Sequence, residues 1–310
     1  MIRPAFVVLA AGMALLPGAS PPAETPIAIH GWVTDEHRRP VAGIGRDEVE
    51  ILVNGAPVPV EAVSPPSHGL SLVLVLDTSR SVRWDREDLA RQLTAFAEAL
   101  GPRDRILLST VGGRQVTLPF RSARTDWRAD VRGALDLDDD EGYGASPLWD
   151  RLHDAVTILA KEPAPRAVLL LSDGRATGNR HGLADVAEYA MVHGVSVYVL
   201  AKHASQRIRQ SGGTSVRTEA APSLMAVLVQ PTAPLEAVAI YTGGQVFVYP
   251  DRQPQAAQLL FSTLAGGLGA LQAFTFIPPF HDGATHQIEI RLKRPRHRVH
   301  APAAFLAPPG

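Results

Sequence analysis

The sequence contains no cysteine. Disulfide bonds, zinc–thiolate sites and cysteine nucleophiles are therefore excluded, although the compartment stays open because many exported proteins also lack cysteine. The chain also has almost no net charge, −1 over 310 residues, which argues against broad electrostatic binding to nucleic acid. Beyond the N-terminal segment, no apolar run is long enough for a transmembrane helix, so none is expected in the mature chain.

The first residues have the layout of a secretory signal peptide. Met1-Ile2-Arg3 supplies a short positive start, residues 5–16 form an uncharged apolar run, and the small residues of Pro17-Gly18-Ala19-Ser20 follow. This order predicts a signal peptide over residues 1–23 and a secreted or periplasmic protein. The run is too short to span a bilayer comfortably, which argues against a permanent membrane anchor. The alternative to a signal peptide is a buried N-terminal strand or helix.

Residues 26–65 predict a small β-unit. Residues 27–34 alternate apolar and polar side chains, which is typical of a half-buried strand. Two further predicted strands, 49–53 and 58–63, are joined through Asn54-Gly55, a strong hairpin signal. Pro65-Pro66-Ser67 marks the end of this unit.

From residue 70 onward, predicted strands and helices alternate. Such repetition predicts an α/β fold with a doubly wound, mostly parallel sheet, here over residues 69–250. The predicted strands are 70–76, 105–110, 116–120, 167–171, 195–200 and 245–249, and the predicted helices are 85–100, 147–160, 183–192 and 234–241. Residues 202–233 are polar and irregular, and a loop of that length is usually functional or mobile. Residues 251–310 predict a helix at 255–264 and strands at 273–277 and 286–292, which we expect to pack on the N-terminal β-unit.

Oxygen-bearing side chains follow the first predicted strand of this sheet. The apolar run 70–76 ends at Asp77-Thr78-Ser79-Arg80-Ser81, which offers one carboxylate and two hydroxyls at alternate positions. Ser146 and Asp173 lie at two other strand-to-helix junctions, which a doubly wound sheet brings to the same crest. Oxygen ligands without His or Cys suit a hard divalent cation such as Mg²⁺.

These three loops together resemble the metal-ion-dependent adhesion site of the von Willebrand factor A family. The resemblance implies a mostly parallel sheet covered by helices on both faces. It also implies a divalent cation, Mg²⁺ or alternatively Mn²⁺ or Ca²⁺, held by Asp77, Ser79, Ser81, Ser146 and Asp173. Ser146 stands where the family usually has threonine, and Arg80 replaces the glycine commonly found between the two serines.

The flanking segments extend the resemblance to a group of secreted bacterial A-domain proteins. The segments that carry it are Ile27-Ala28-Ile29-His30-Gly31-Trp32-Val33, Val53-Asn54-Gly55 and Tyr241-Thr242-Gly243-Gly244. The resemblance implies a non-enzymatic interaction module. In it, a protein partner supplies an acidic side chain to the metal, whose octahedral shell the chain's own ligands leave incomplete.

Other interpretations of the same residues stay open. Asp77 and the two serines could be no more than a strand-end cap and its turn. Asp77 also resembles the phosphate-accepting carboxylate of Mg²⁺-dependent haloacid dehalogenase-like hydrolases, although Ser79 stands where those enzymes usually have a second aspartate. A third interpretation is a scaffold whose metal site is degenerate because of Arg80. Asp150 is interpreted as a solvated helix residue, with membership of a network near the site as the alternative.

Overall fold

The computed structural model describes residues 25–37, 39–113, 115–136, 144–202 and 234–310. The predicted signal peptide and residues 203–233 of the predicted long loop lie outside these ranges. The strands are β1 Ile27–Thr34, β2 Pro40–Val41, β3 Val49–Val53, β4 Ala56–Val58, β5 Val60–Ser64, β6 Ser71–Asp77, β7 Arg105–Val111, β8 Arg121–Ser122, β9 Arg166–Ser172, β10 Val195–Ala201, β11 Val246–Val248, β12 Gln272–Phe276, β13 Thr285–Leu292, β14 Arg298–His300 and β15 Ala304–Leu306. The helices are α1 Arg86–Ala99, α2 Arg128–Leu135, α3 Leu148–Leu159, α4 Leu183–Val192, α5 Pro234–Tyr241 and α6 Pro254–Gly269, with a 3-10 turn at Arg46–Glu48.

A central sheet runs in the order β11-β10-β9-β6-β7-β8. Its pairs are parallel except at the edge, where β8 is antiparallel to β7. Alternate residues of β6 enter opposite hydrophobic cores. Leu72, Leu74 and Leu76 pack with α1, α2 and α6, whereas Val73 and Val75 pack with α3, α4 and α5. Helices thus cover both faces, which confirms the predicted doubly wound fold.

The strand predicted at residues 116–120 is wrong. This segment is irregular, and a single antiparallel bridge joins Thr117 to Ser109 of β7. Leu118 still donates its backbone N–H to the oxygen of Leu108 at 2.8 Å, but Pro119 has no N–H with which to continue the ladder. Regular pairing returns only in β8, and the helix α2 that follows was not predicted from the sequence.

Two smaller antiparallel sheets enclose a third core. One sheet has the order β14-β1-β12-β5, and the other has the order β15-β13-β3-β4. N-terminal and C-terminal segments alternate within both sheets, since β12 pairs with β1 and β13 pairs with β3. The shared core includes Val33, Ile51, Phe274, Phe276 and Phe305. The predicted turn at Asn54-Gly55 is present, because Val53 pairs with Ala56 across it. The predicted second strand of this hairpin, 58–63, is wrong: the strand that pairs with β3 is β4, whereas β5 pairs with β12 in the other sheet.

Trp32 of β1 joins the small sheets to the helical layer. Its indole is 1% exposed and lies edge-on to the ring of Tyr198 of β10, with the ring centroids 5.6 Å apart. The indole occupies the space where a side chain at Gly267 of α6 would lie, since a Cβ there would be 1.0 Å from Cζ3 of Trp32. Helix α6 ends at Gly269, beyond the predicted end at Leu264.

No helix in the described ranges combines the length and apolar character that crossing a bilayer requires.

A histidine lies at the contact between the small sheets and the central sheet. His30 of β1 lines a cavity of about 60 Å³ together with Arg166 of β9 and Met191 of α4. Burial, followed by the nearby positive charge of Arg166, lowers the pKa of His30 to about 4 from 6.5. The native state therefore holds His30 neutral at a pH where the unfolded chain would protonate it.

We expect His30→Gln to weaken the pH dependence of stability. Between pH 4 and 6.5 the unfolded chain binds a proton at His30 that the native chain does not, so native stability rises with pH across this window. Across this whole pH window, deprotonation of His30 raises the free energy of unfolding by about 3 kcal/mol. His30→Gln should lose this contribution. Urea unfolding at a series of pH values measures it. His37→Gln, at an exposed position of the same unit, is the matched control, and equal slopes for wild type and His30→Gln would contradict the prediction.

Candidate metal centre

The first loop of the candidate site begins at the last residue of β6. All seven residues of this strand are buried, and Asp77 has no exposed surface. One carboxylate oxygen, Oδ1, accepts the backbone N–H of Ser79 at 2.9 Å. The other, Oδ2, accepts the hydroxyl of Ser172 at 2.5 Å. The hydroxyls of Ser79 and Ser81 lie 3.1 Å apart, so the two serines present their oxygens at one place beside a buried carboxylate.

Gly112 allows the neighbouring chain to approach this loop closely. It follows β7 with φ at 76°, and a Cβ there would lie 2.7 Å from the backbone nitrogen of Ser79. Thr78 ties the two segments together by donating its hydroxyl to the oxygen of Gly112 at 2.6 Å. The Asp-x-Ser-x-Ser loop is therefore held between β6 and β7, and a side chain at residue 112 would displace it.

A buried lysine supports the same loop from the opposite side. Lys202, 3% exposed, places its ammonium 4.5 Å from the centre of the Trp84 ring and 3.1 Å from the carboxylate of Asp251. It also donates to the backbone oxygen of Arg83. Trp84 in turn donates its indole N–H to the backbone oxygen of Asp77 at 2.7 Å. These supporting residues were not predicted from the sequence. Lys202 could have been recognised by its position, because it directly follows a buried strand, β10, at the same edge of the sheet as Asp77.

The second loop places a hydroxyl without a partner inside the protein. Ser146 is 5% exposed, and within the described residues its Oγ has no hydrogen-bond partner. Its backbone is fixed to the third loop, because its N–H donates to Oγ1 of Thr177 and its oxygen accepts the N–H of Thr177, both at 2.9 Å. A buried hydroxyl that lacks a partner costs free energy, which a ligand to that oxygen would recover.

The third loop brings a second carboxylate to the site. The Asp173 side chain is 7% exposed, and its Oδ2 lies 3.5 Å from Nε of Arg175. Its Oδ1 accepts the backbone N–H of Arg175 at 3.0 Å. Burial raises the pKa of Asp77, and the negative charge of Asp173 raises it further, against the hydrogen bonds from Ser172 and Ser79. The carboxyl groups of Asp77 and Asp173 are therefore close enough to repel each other, and a cation between them would relieve this repulsion.

The donor set fits a hard divalent cation. It consists of two carboxylates and three hydroxyls, all oxygen, which Mg²⁺ prefers in proteins. Within the described residues, no group of three or more His, Cys, Asp or Glu side chains is suited to hold a metal. The candidate site is not such a group, since three of its five candidate ligands are serines. The buried hydroxyl of Ser146 without a partner supports the fit independently. Arg80, between the two serines, is exposed.

Asp150 is not the solvated helix residue that we expected from the sequence. It is 8% exposed and accepts the backbone N–H groups of His181 at 2.8 Å and Arg180 at 3.0 Å. Its side-chain partners are Nδ1 of His181 at 2.9 Å and Nε of Arg180 at 3.3 Å. Burial alone would raise the pKa of Asp150, but the hydrogen bonds from His181 and Arg180 outweigh burial and hold it well below its usual range. Asp150 thus anchors the end of the third loop to the start of α3.

Ser146 offers a test in which affinity and stability change in opposite directions. We expect Ser146→Ala to weaken Mg²⁺ binding by about tenfold or more, because an oxygen ligand is lost. Without added metal the same variant should be more stable by about 1 kcal/mol, since a buried hydroxyl with no partner is removed. Ser146→Thr keeps the oxygen and is the control. Isothermal titration calorimetry and urea unfolding measure the two effects, and wild-type Mg²⁺ affinity in Ser146→Ala would contradict the assignment of this oxygen.

No family model matches the chain, and no curated protein matches it significantly. Solved structures with a similar fold include the conserved hypothetical protein BatB from Bacteroides thetaiotaomicron, with 15% identity, a TM-score of 0.41, and 64% of this chain and 98% of that chain covered. A von Willebrand factor type A protein from Catenulispora acidiphila has 11% identity and a TM-score of 0.45, over 92% of this chain and 75% of that one.

A third similar structure is that of a metal-bound protein. It is proximal thread matrix protein 1 from the mussel byssus, with a zinc-occupied MIDAS motif, at 15% identity and a TM-score of 0.42, over 74% of this chain and 48% of that chain. These similarities describe folds and are too low to carry an argument about function. The candidate site therefore stands on the geometry of its own residues.

Proposed function

We propose that this chain is an exported, non-enzymatic interaction module of the von Willebrand factor A type. A divalent cation, Mg²⁺ in the first instance, would be held by Asp77, Ser79, Ser81, Ser146 and Asp173. When bound, it would supply a Lewis-acidic position that accepts a carboxylate oxygen from a protein partner. Export is proposed from the charge and hydropathy order of residues 1–23.

One observation carries the proposal. The hydroxyl of Ser146 is buried without a partner among the described residues, and burial together with the charge of Asp173 raises the pKa of Asp77. These side chains belong to loops joined by hydrogen bonds at the carboxyl edge of one sheet. Taken singly, each feature destabilises the native protein. Bound cation would compensate them together, since it satisfies the hydroxyl and neutralises the charge.

The first experiment is metal binding by the purified mature chain. We expect Mg²⁺ and Mn²⁺ to bind with one equivalent in calorimetry and to raise the melting temperature, because ligand that binds only the native state stabilises it. EDTA should reverse the shift. Absence of both heat and thermal shift would overturn the proposal of a metal-dependent module.

The enzymatic alternative uses the same aspartate and is tested separately. Asp77 has no exposed surface, and both of its carboxylate oxygens already accept hydrogen bonds, which disfavours attack on a phosphate ester. We therefore expect no Mg²⁺-dependent hydrolysis of p-nitrophenyl phosphate. Turnover that disappears in Asp77→Asn would replace the interaction module with a hydrolase.

A further inference from the structure

The small cavity between the small sheets and the central sheet lies far from the candidate metal site. It has a volume of about 60 Å³, and both His30 and Arg166 line it. Arg166 is the first residue of β9, whereas Asp77 is the last residue of β6, which pairs with β9 in parallel. The cavity is therefore at the opposite edge of the sheet and shares no residue with the candidate metal ligands.

His30 reaches this cavity because side chains alternate along β1. Ile29 packs in the core between the two small sheets, whereas Trp32 packs toward the central sheet against Tyr198. His30 shares the face of Trp32, since the two are two residues apart in a strand. Its imidazole has no hydrogen-bond partner among the described residues, and the charge of Arg166 is close enough to lower its pKa. The imidazole and the guanidinium therefore lie close together at the cavity.

Backbone oxygens fix the guanidinium of Arg166. Its Nε donates to the oxygen of Glu162 at 2.6 Å, and its Nη1 donates to the oxygen of His193 at 2.8 Å. Its Nη2 has no such bond within the described part of the chain, and the carboxylate of Glu162 pairs with Arg105 instead. Arg166 thus keeps unused N–H donors beside the cavity and has no carboxylate bonded to it.

The chemistry of the cavity wall favours an anion. Apart from His30 and Arg166, the described residues that line it have aliphatic side chains, a proline ring, a thioether or no side chain. The other titratable groups nearby are Glu162 and His193, and burial followed by the charge of Arg166 lowers the pKa of His193. Two nitrogen groups that can both be cationic, with no carboxylate in the wall, attract negative charge. The volume admits a chloride ion or a few water molecules.

We propose that this cavity binds a small monovalent anion, chloride in the first instance, together with a proton on His30. The anion accepts N–H groups from the imidazolium of His30 and from the guanidinium of Arg166. Neutral His30 offers a single N–H and no charge, so it binds the anion more weakly. Bound anion offsets the repulsion between the two cations and thereby stabilises the contact between β1 and β9. The proposal does not depend on the metal site.

The first measurement is the titration of His30 by NMR in sodium chloride and in sodium gluconate of equal ionic strength. Gluconate is the comparison because it is too large for a cavity of about 60 Å³. Since the anion and the proton favour each other reciprocally, we expect saturating chloride to raise the pKa of His30 by about one unit, a tenfold coupling. Equal titration curves in the two salts would overturn the proposal and leave water as the occupant.

Thermal unfolding supplies a second readout, and it compares variants. Relative to gluconate, saturating chloride should raise the melting temperature by about 2 °C more at about pH 4.5 than at about pH 8, because protonated His30 binds the anion more tightly. His30→Gln should abolish this difference between the two pH values. Arg166→Lys, which keeps the charge but loses the planar fork, should reduce it. If Arg166→Lys fails to fold, His30→Gln decides alone.

The matched control is His37→Gln, at an exposed position of the same β-unit. It removes a histidine away from the cavity and should keep the chloride effect in full. A chloride effect in His30→Gln as large as in the wild type, or its loss in His37→Gln, would overturn the anion site. Neither result bears on Mg²⁺ binding, which calorimetry tests separately.

Discussion

Gly267→Ala is expected to lower the free energy of unfolding by about 3 kcal/mol or more, the upper range for overpacking a core. The added Cβ would lie 1.0 Å from Cζ3 and 1.7 Å from Cε3 of Trp32, atoms of a rigid ring that is 1% exposed. The indole cannot rotate away without disturbing its edge-on contact with Tyr198 at 5.6 Å. The variant therefore separates the small sheets from α6 or bends the helix.

The neighbouring glycine provides a matched control for this substitution. Gly266 belongs to the same helix, and a Cβ there would meet nothing within 4 Å. Gly266→Ala should raise stability by up to about 1 kcal/mol, since alanine favours the helix over glycine. Urea unfolding of the two variants should thus give changes of opposite sign.

A substitution of Trp32 tests whether its indole ring causes the loss of stability in Gly267→Ala. In a Trp32→Leu background, Gly267→Ala should cost much less than in the wild type, because the ring that it meets is gone. An equal cost in both backgrounds, or a stable Gly267→Ala variant, would contradict the role given to Trp32.

Asp77→Asn is expected to abolish measurable Mg²⁺ binding and the thermal shift that Mg²⁺ produces, a loss of about 100-fold or more in affinity. The amide keeps the shape of the side chain, and its oxygen can still accept the N–H of Ser79, which bonds Asp77 Oδ1 at 2.9 Å. The lost property is the charge that would hold the cation. The effect therefore reports the carboxylate and not the architecture of the loop.

Without metal, the same variant should be more stable than the wild type. Burial raises the pKa of Asp77 and Asp173 adds repulsion, so an ionised Asp77 destabilises the native protein and its removal should raise the melting temperature by about 2–4 °C. Differential scanning fluorimetry with EDTA measures this change. A gain in stability together with a loss of metal binding is typical of a residue kept for function.

Asp104→Asn is the matched control for Asp77→Asn. Asp104 also accepts backbone N–H groups, from Leu70 at 2.8 Å and Gly101 at 2.7 Å, but it precedes β7 at the opposite edge of the sheet. Its replacement should leave Mg²⁺ affinity unchanged. Wild-type Mg²⁺ binding by Asp77→Asn, or an equal loss in Asp104→Asn, would remove Asp77 from the candidate site.

Helix α6 is longer than the sequence pattern predicted. The sequence predicted a helix over residues 255–264, and the adjacent glycines Gly266 and Gly267 beyond it are residues that weaken a helix. The helix continues to Gly269, and the absence of a side chain at Gly267 leaves the space that Trp32 of β1 fills. The partner of Gly267 is thus a residue more than two hundred positions away in the chain, which the local pattern could not reveal.

The sequence by itself determined the fold class and the position of the candidate site. Strand β6 and the hydroxyl and carboxylate spacing of Asp77, Ser79 and Ser81 are local features, and the carboxyl ends of parallel strands meet at one edge in any doubly wound sheet. Residues 144–147 and 172–174 could therefore be assigned to the same edge before any contact was known. Their roles as metal ligands stay a prediction.

Only the tertiary structure decided which of the polar groups are buried, paired or without a partner. Burial of Asp150 comes from the backbone N–H groups of Arg180 and His181, and support for Asp77 comes from Ser172 and Trp84. The hydroxyl of Ser146 is without a partner because of how its loop packs. Hydrogen bonding and desolvation depend on atoms brought together from distant segments, whereas strand pattern and ligand chemistry are properties of neighbours in the chain.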